Sequence, residues 1–382
     1  MMPIYLDHAA TSPMHPAVVE AMIPVMKEAF GNPSSIHSFG RRSRHLVDEA
    51  RLAAATAIGA KETEIIFTSG GTEADNLAII GVARANKHKG NHIITTQVEH
   101  HAVLHTCERL EKDGFDVTYL PVDETGRISI NDLETALTAD TILVTVMFGN
   151  NEVGTIQPIQ EIGTLLKEHQ AYFHTDAVQA FGLERINVQE LGIDFLSMSG
   201  HKINGPKGIG LLYAKTGANF HSLTFGGEQE RKRRAGTESV PSIVGLQTAI
   251  EMSIEESNSK RDLYKKFKLL MQRIWEEEGV EFSINGNGAH TLPHVMNVYF
   301  PGTNVESFLV NMDMAGLSVS SGSACTAGSI DPSHVLVAMF GKDSDKIASS
   351  IRFSFGLGNN EEQIEKAARE TAKIVKRLAR KK

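Results

Sequence analysis

The chain has 382 residues, of which 41% are hydrophobic, and a formal net charge of −8. This length and composition suffice for one large and one smaller domain. The acidic balance disfavours direct nucleic-acid binding, and no apolar run approaches the ~18 residues of a membrane span. Because the N-terminus lacks a secretory pattern and the only cysteines are Cys107 and Cys325, we expect a cytoplasmic protein with neither a disulfide framework nor a thiolate zinc cluster.

Short β-rich runs alternate with helical patterns between about residues 64 and 215. The runs are 65–67, 92–95, 117–120, 141–146, 172–174, 195–197 and 209–212. Helical patterns between them include residues 75–88 and 159–169. This alternation is typical of an α/β fold, in which helices cover both faces of a mainly parallel sheet.

The pattern changes after Val240. One long helix is predicted through about Glu278, followed by a β run at 295–300 and by helices at 305–315 and 361–379. Such an order suits a smaller α+β domain packed beside the first. We expect residues 16–260 to form the large domain, and residues 1–15 and 261–382 to form the small one.

Lys202 follows an apolar run and lies among small and polar residues in the segment 199–208. Most lysines are solvated surface charges. At the carboxyl end of a strand, however, a lysine can form a Schiff base with pyridoxal phosphate. Asp176 ends the preceding strand, 26 residues earlier. An aspartate there is often a helix N-cap, but it would also suit the ring nitrogen of that cofactor.

A glycine turn joins a strand to a helix at residues 68–76. Backbone N–H groups at Gly71 and Thr72 could hold an anion at the helix N-terminus. Glycine pairs before helices are usually turn chemistry, so this motif alone does not identify a phosphate site.

The two cysteines and a histidine pair have different surroundings. Cys325 lies among small, polar residues typical of an exposed loop, although lone cysteines are most often buried. Cys107 lies in a helical pattern and is interpreted as structural. His101 and His105 have a spacing that could bind a metal, but they lack a matching carboxylate–histidine motif and are interpreted as surface residues.

These motifs, in this order, resemble the fold type I pyridoxal phosphate enzymes and, within them, the class V aminotransferase group. The sequence is most similar to the cysteine desulfurases. The further segments that carry this resemblance are 5–11, 31–35, 98–103, 150–154, 234–238, 321–325 and 350–354. They imply a seven-stranded sheet in the large domain and an active-site cysteine loop in the small one.

The resemblance assigns roles around the pyridine ring. Lys202 would hold the cofactor and then carry the proton from the substrate Cα. His100 would stack on the ring and act as an acid or base, a task that suits imidazole near neutral pH. Asp176 would pair with the ring nitrogen, while Gln179 and Asn151 would reach the ring oxygen or the substrate carboxylate.

The resemblance also assigns the phosphate contacts. Gly71, Thr72, Ser199 and His201 would bind the phosphate within one subunit. Thr237 would bind it from the neighbouring subunit, so a homodimer is part of the expectation.

Substrate chemistry follows from the same resemblance. Arg352, Asn151 and Asn32 would bind L-cysteine, with Arg352 capturing the carboxylate. Cys325 would attack the substrate sulfur, forming a persulfide and releasing alanine. Transient iron–sulfur ligation by Cys325 is a further expectation.

The sequence around Cys325 looks like the branch that supplies sulfur for iron–sulfur assembly and tRNA thiolation, so a sulfur-acceptor protein is the expected partner. The chain lacks the longer C-terminal tail of housekeeping members, which leaves the acceptor open. Alternatives on the same fold are a selenocysteine lyase or an aminotransferase. A third is a catalytically silent relative that binds partners or carries sulfur.

Overall fold

The computed structural model describes residues 3–321 and 332–379. Its strands are β1 (Ile4–Tyr5), β2 (Ile65–Thr68), β3 (His92–Thr96), β4 (Asp116–Leu120), β5 (Thr141–Thr145), β6 (Tyr172–Asp176), β7 (Phe195–Ser199), β8 (Gly210–Ala214), β9 (Ser283–Asn285), β10 (Val295–Tyr299), β11 (Leu317–Ser318) and β12 (Ser350–Ser354).

The helices of the described ranges surround these strands. They are α1 (Pro16–Glu28), α2 (Ser38–Ile58), α3 (Gly71–Asn86), α4 (His101–Lys112), α5 (Ile130–Ala136), α6 (Ile159–Leu166), the short turn α7 (Gln229–Lys232), α8 (Val240–Glu255), α9 (Ser257–Glu277), α10 (Val305–Met314), α11 (His334–Phe340), α12 (Asp345–Ala348) and α13 (Glu361–Ala379). No helix within the described residues is long and apolar enough to cross a membrane.

The predicted sheet is confirmed. Seven strands pair in the order β2-β8-β7-β6-β5-β3-β4, and only β8 runs against its neighbours. The strands that run the same way therefore end at one edge, where an open α/β sheet binds its ligands.

Side chains alternate between the two faces of this sheet, and each face is buried. On β2, Phe67 packs into one hydrophobic cluster with residues of α2 and α8, while Ile66 packs into another with residues of α3 and α4. Helices thus cover both faces, as the run of apolar residues in each strand predicts.

A separate hydrophobic cluster joins the start of the chain to its last third. It contains Leu6, Phe267, Phe300 and Phe353, with Trp275 fully buried among them. Here β12, β10 and β9 form an antiparallel sheet, and β1 pairs with β11. The predicted division into domains at residues 15 and 260 remains a prediction.

The single helix predicted from Val240 to Glu278 is wrong. The chain forms α8 and α9, separated at Glu256. Leu246 of α8 packs against the large sheet, whereas Phe267 of α9 belongs to the second cluster. The apolar faces of the two helices therefore serve different cores. Smaller differences are an earlier start for α3, at Gly71, and an earlier end for α6, at Leu166.

Candidate active site

A cavity of about 500 Å³ lies at the carboxyl edge of the large sheet. Segments that follow β2, β3, β5, β6 and β7 contribute to its wall, and β12 closes it from the side of the smaller sheet. The predicted site residues that line it are Gly71, Thr72, His100, Asn151, Asp176, Gln179, Ser199, His201, Lys202 and Arg352.

Lys202 ends a single 3-10 turn, Gly200–Lys202, directly after β7. Its Nζ donates hydrogen bonds to Ala9 O at 2.5 Å and to Ala10 O at 2.7 Å. Burial, and secondarily the charge of Arg352, lowers the pKa of Lys202 to about 8. A lysine with this pKa supplies a neutral, nucleophilic amine near physiological pH far more often than a solvated lysine does.

Asp176 is the last residue of β6, and its carboxylate is buried at the cavity wall. Its Oδ1 accepts a hydrogen bond from Val178 N at 2.9 Å. Burial raises the pKa of Asp176 to about 6, against the opposing effects of that hydrogen bond and of Lys202. A buried carboxylate of this kind gains most from a cationic partner placed in the cavity.

Three buried groups near Asp176 were missed by sequence reasoning, and one of them, Asp75, also lines the cavity. Burial raises the pKa of Asp75 well above its ordinary range and that of Glu99 to about 8. His174 bridges Thr145 Oγ1 (2.8 Å) and Ser197 Oγ (3.0 Å), and its Nε2 lies 3.6 Å from Asp75 Oδ1. The alternation of side chains along a strand could have identified His174, because it lies two residues before Asp176 on β6 and therefore on the same face of the sheet.

His100 is the N-cap of α4. Ala102 N–H donates to His100 Nδ1 at 3.1 Å, so the proton of the neutral ring resides on Nε2. Burial, then the charges of Lys202 and neighbouring histidines, lowers the pKa of His100 to about 4. The ring is therefore neutral at physiological pH and presents an apolar face suited to stacking.

The glycine turn before α3 has features that suit an anion. The N-cap, Gly70, has no side chain to satisfy the first N–H groups of the helix, and Gly71 and Thr72 line the cavity. A Cβ on Gly71 would lie 2.8 Å from Val178 Cγ2, so a larger residue there would force Val178 to move. The unsatisfied N–H groups and the helix dipole together suit a phosphate.

Two polar side chains at the cavity wall are fixed by residues from distant parts of the chain. His201 Nδ1 lies 3.0 Å from Thr11 Oγ1. Gln179 Nε2 donates to Ala9 O at 2.9 Å, while its Oε1 lies 3.0 Å from His294 Nε2. Because an amide nitrogen carries two protons, Gln179 retains one donor for a ligand.

Arg352 projects from β12 with its side chain 4% exposed. Its Nη1 donates to Asn151 O at 2.9 Å and its Nη2 to Asp7 Oδ1 at 2.7 Å. The guanidinium is thus held in a fixed orientation at the cavity, and Asp7 balances its charge. A planar fork in this position matches a carboxylate ligand.

Two predicted residues do not line the cavity of their own chain. Thr237 and Asn32 are exposed and lie outside its lining, and Asn32 Oδ1 accepts a hydrogen bond from Ser34 N at 2.8 Å. The predicted roles of Asn32 and Thr237 therefore remain predictions. Cys325 lies outside the described residues.

Cys107 and the histidine pair occupy the positions that their patterns indicate. Cys107 is fully buried in α4, and burial raises the pKa of its thiol. The exposed rings of His101 and His105 stack with centroids 4.9 Å apart. Within residues 3–321 and 332–379, no group of three or more histidines, cysteines and acids is placed to hold a metal ion.

Residues 4–367 match the aminotransferase class-V family, and the chain belongs to it. It is 65% identical over 375 residues to the protein named IscS 1 of Bacillus subtilis (strain 168), covering 98% of this chain and 99% of that one. It is 50% identical over 378 residues to the cysteine desulfurase IscS of Methanosarcina thermophila, covering 98% and 92%. Within the family, the chain belongs to the cysteine desulfurases.

Solved structures support the same family assignment. A NifS-like protein superposes with a TM-score of 0.92 at 34% identity, covering 99% of this chain and 100% of that chain. A structure of SspA in complex with cysteine gives 0.82 at 39% identity, covering 92% and 98%.

The cofactor of this family is pyridoxal phosphate, and the residues present fit it. The helix N-terminus with the glycine that a Cβ would obstruct suits the phosphate. The buried carboxylate of Asp176 suits a protonated ring nitrogen, and Lys202 supplies an amine of lowered pKa.

Proposed function

We propose that this chain is a homodimeric L-cysteine desulfurase that holds pyridoxal phosphate on Lys202 and accepts the substrate sulfur on Cys325. The observation that carries the proposal is the convergence in one cavity of Lys202, Asp176, Arg352 and the open N-terminus of α3. Each of these groups is suited to bind a different part of the cofactor or of an amino-acid substrate.

Bound pyridoxal phosphate supplies the electron sink that makes a bond to the substrate Cα or Cβ breakable. Asp176 would keep the ring nitrogen protonated by forming an ion pair with it. If the nearby buried Asp75 and Glu99 are protonated, Asp176 carries the one negative charge of these three carboxyl groups, which balances the charge of the ring nitrogen.

Lys202 and His100 handle the protons. With cofactor and substrate bound, the amine of Lys202 would be placed to take the Cα proton. Hydrogen bonds to Ala9 O and Ala10 O hold Nζ at the cavity wall. His100 offers the Nε2 proton, since Nδ1 is occupied by the start of α4.

Arg352 binds the carboxylate of L-cysteine, and Asn151, whose carbonyl holds Arg352, lies on the same side. The substrate carboxylate would join Asp7 at one guanidinium. This contact fixes the Cα substituents relative to the ring, so the contribution of Arg352 is orientation as well as affinity.

Cys325 receives the sulfur. The C–S bond of L-cysteine breaks and an S–S bond to Cys325 forms, so one thiol and one L-cysteine give one persulfide and one L-alanine. Atoms and electrons balance without an added oxidant, and a reductant is required only to release sulfide afterwards.

Two features support the homodimer. Thr237, assigned to the cofactor phosphate, is exposed and does not line its own cavity, as expected of a residue that serves a second copy. An apolar surface on α1 and the loop after it remains uncovered, with Met26 60%, Phe30 75% and Ile36 91% exposed. Large apolar side chains clustered on a surface mark an interface.

The sulfur acceptor would be a protein of iron–sulfur cluster assembly or tRNA thiolation. The persulfide on Cys325 has to reach a second thiol, because sulfur transfer proceeds by attack of a thiolate on a sulfur–sulfur bond.

The test is the product balance. Purified holoenzyme with L-cysteine and a reductant should give alanine and sulfide in equal amounts, and Cys325→Ala should give neither by this route. Turnover that requires a 2-oxo acid would instead identify an aminotransferase. Selenide release that needs no Cys325 would identify a selenocysteine lyase, and a protein without visible absorbance would be a silent relative.

A further inference from the structure

The segment 228–237, here called the Thr237 loop, has an unusual backbone. Glu230, Arg231 and Lys232 are consecutive non-glycine residues with φ of 44°, 56° and 66°. Side chains with a Cβ disfavour this left-handed conformation, so the rest of the structure has to hold it in place.

A buried ion pair holds the first of these residues. Arg51 of α2 and Glu230 have side chains only 4% and 2% exposed, and they form two hydrogen bonds, of 2.7 and 2.8 Å. Arg51 also donates to Ile65 O, and Glu230 accepts from Phe67 N at 2.9 Å. The pair therefore binds the free edge of β2, the strand that leads into the phosphate turn.

The arginines after Glu230 continue along the same part of the chain. Arg231 donates to Glu62 O at 3.2 Å and Arg233 to Thr63 O at 3.3 Å. Arg234 forms two hydrogen bonds with Glu73, of 2.8 and 3.2 Å.

Together these contacts attach the Thr237 loop on both sides of the turn that cradles the phosphate. Phe67 precedes that turn, and Glu73 lies in the first turn of α3, where it also accepts from Ser69 N at 2.7 Å. Thr237, at the end of this loop, is exposed and does not line the cavity of its own chain.

We propose that the Thr237 loop links the two phosphate sites of the dimer, with the Arg51–Glu230 and Arg234–Glu73 pairs as positioning elements that act on the partner's cofactor. This inference rests on the proposed function, in which Thr237 contacts the phosphate of the second copy. The rigid attachment to one phosphate turn is what presents Thr237 correctly to the other.

Mixed dimers separate an effect within one subunit from an effect across the interface. In a dimer of a Glu230→Gln subunit and a Lys202→Ala subunit, the Schiff-base absorbance reports only the cavity of the first, which receives an intact loop from its partner. In a dimer of wild type with a Glu230→Gln/Lys202→Ala subunit, it reports a normal cavity that receives a defective loop.

The measurement is the rate at which the absorbance is lost on dilution into a trap for free cofactor. We expect the first mixed dimer to match a wild-type/Lys202→Ala dimer, and the second to lose cofactor about tenfold faster, the factor that one charge-assisted hydrogen bond supplies. The opposite pattern, or equal rates in all three dimers, would overturn the inference.

Three further variants keep the test decisive. Arg234→Met replaces a residue 25% exposed and serves if Glu230→Gln does not fold. Arg261→Met, which removes a pair with Glu184 elsewhere on the surface, is the matched control and should change nothing. If Thr237→Ala replaces Glu230→Gln in the second mixed dimer and the rate of cofactor loss does not change, the proposed role of Thr237 fails. If Thr237→Ala accelerates loss and the loop variants do not, only this inference fails.

Discussion

Replacing Arg352 by lysine isolates the contribution of its forked hydrogen bonds. The side chain is 4% exposed and both terminal nitrogens already donate, Nη1 to Asn151 O and Nη2 to Asp7 Oδ1. Lysine keeps the charge but cannot hold these partners and the substrate carboxylate in one plane. A lost hydrogen bond to a charged group costs about 1.5–3 kcal/mol, so kcat/KM for L-cysteine should fall roughly 10- to 150-fold.

The assay is alanine formation over a range of L-cysteine concentrations, with cofactor absorbance and thermal unfolding as controls for an intact site. Most of the loss should fall on KM, because the carboxylate contact is present in both ground and transition states. Cysteamine, which lacks the carboxylate, should bind Arg352→Lys as it binds the wild type. An equal loss for cysteamine, or an unchanged kcat/KM for L-cysteine, would refute the assignment.

Other predictions use the remaining buried groups. The rate at which apoprotein recombines with pyridoxal phosphate should rise with pH around a midpoint near 8, since burial lowers the pKa of Lys202 to about 8 and only the neutral amine reacts; a midpoint above 10 would contradict this. The folded-state pKa of Glu99, about 8, lies above its ordinary 4.5, so the stability from its protonation is complete below 4.5 and is lost as the pH rises through 8. In denaturant unfolding, the free energy of unfolding of Glu99→Gln apoprotein should therefore rise relative to that of the wild type by about 1 kcal/mol or more between pH 5 and 8. A difference between the two proteins that does not change with pH would count against a buried acid. Cys107→Ala, the matched control for Cys325→Ala, should keep desulfurase activity, because the Cys107 thiol is buried with a raised pKa; a loss equal to that of Cys325→Ala would show that the thiols had been assigned wrongly.

Local pattern accounts for much of the fold. All seven strands of the large sheet were predicted because each is a short β-rich run between turn signals, and the parallel order followed from the intervening helices. The break at Glu256 carries no glycine or proline, so nothing local marks it. It exists because α8 and α9 pack in different cores, which is a long-range property.

The same division applies to the cavity. Lys202 and Asp176 could be placed together because Asp176 ends β6, Lys202 follows β7, and these two strands are parallel neighbours. One acceptor of the Lys202 hydrogen bonds, Ala9 O, belongs to a residue 193 positions away in the chain, and no periodicity predicts that approach. The raised pKa values of Asp75 and Glu99 arise from burial that only the packed structure creates.

The central claim is that sulfur leaves L-cysteine for Cys325, and mass spectrometry after a single turnover tests it most directly. Holoenzyme mixed with L-cysteine in the absence of reductant should carry one additional sulfur atom on the peptide that contains Cys325, with one alanine released for each modified chain. An unmodified Cys325 alongside full alanine release, or the extra sulfur on Cys107, would contradict the account.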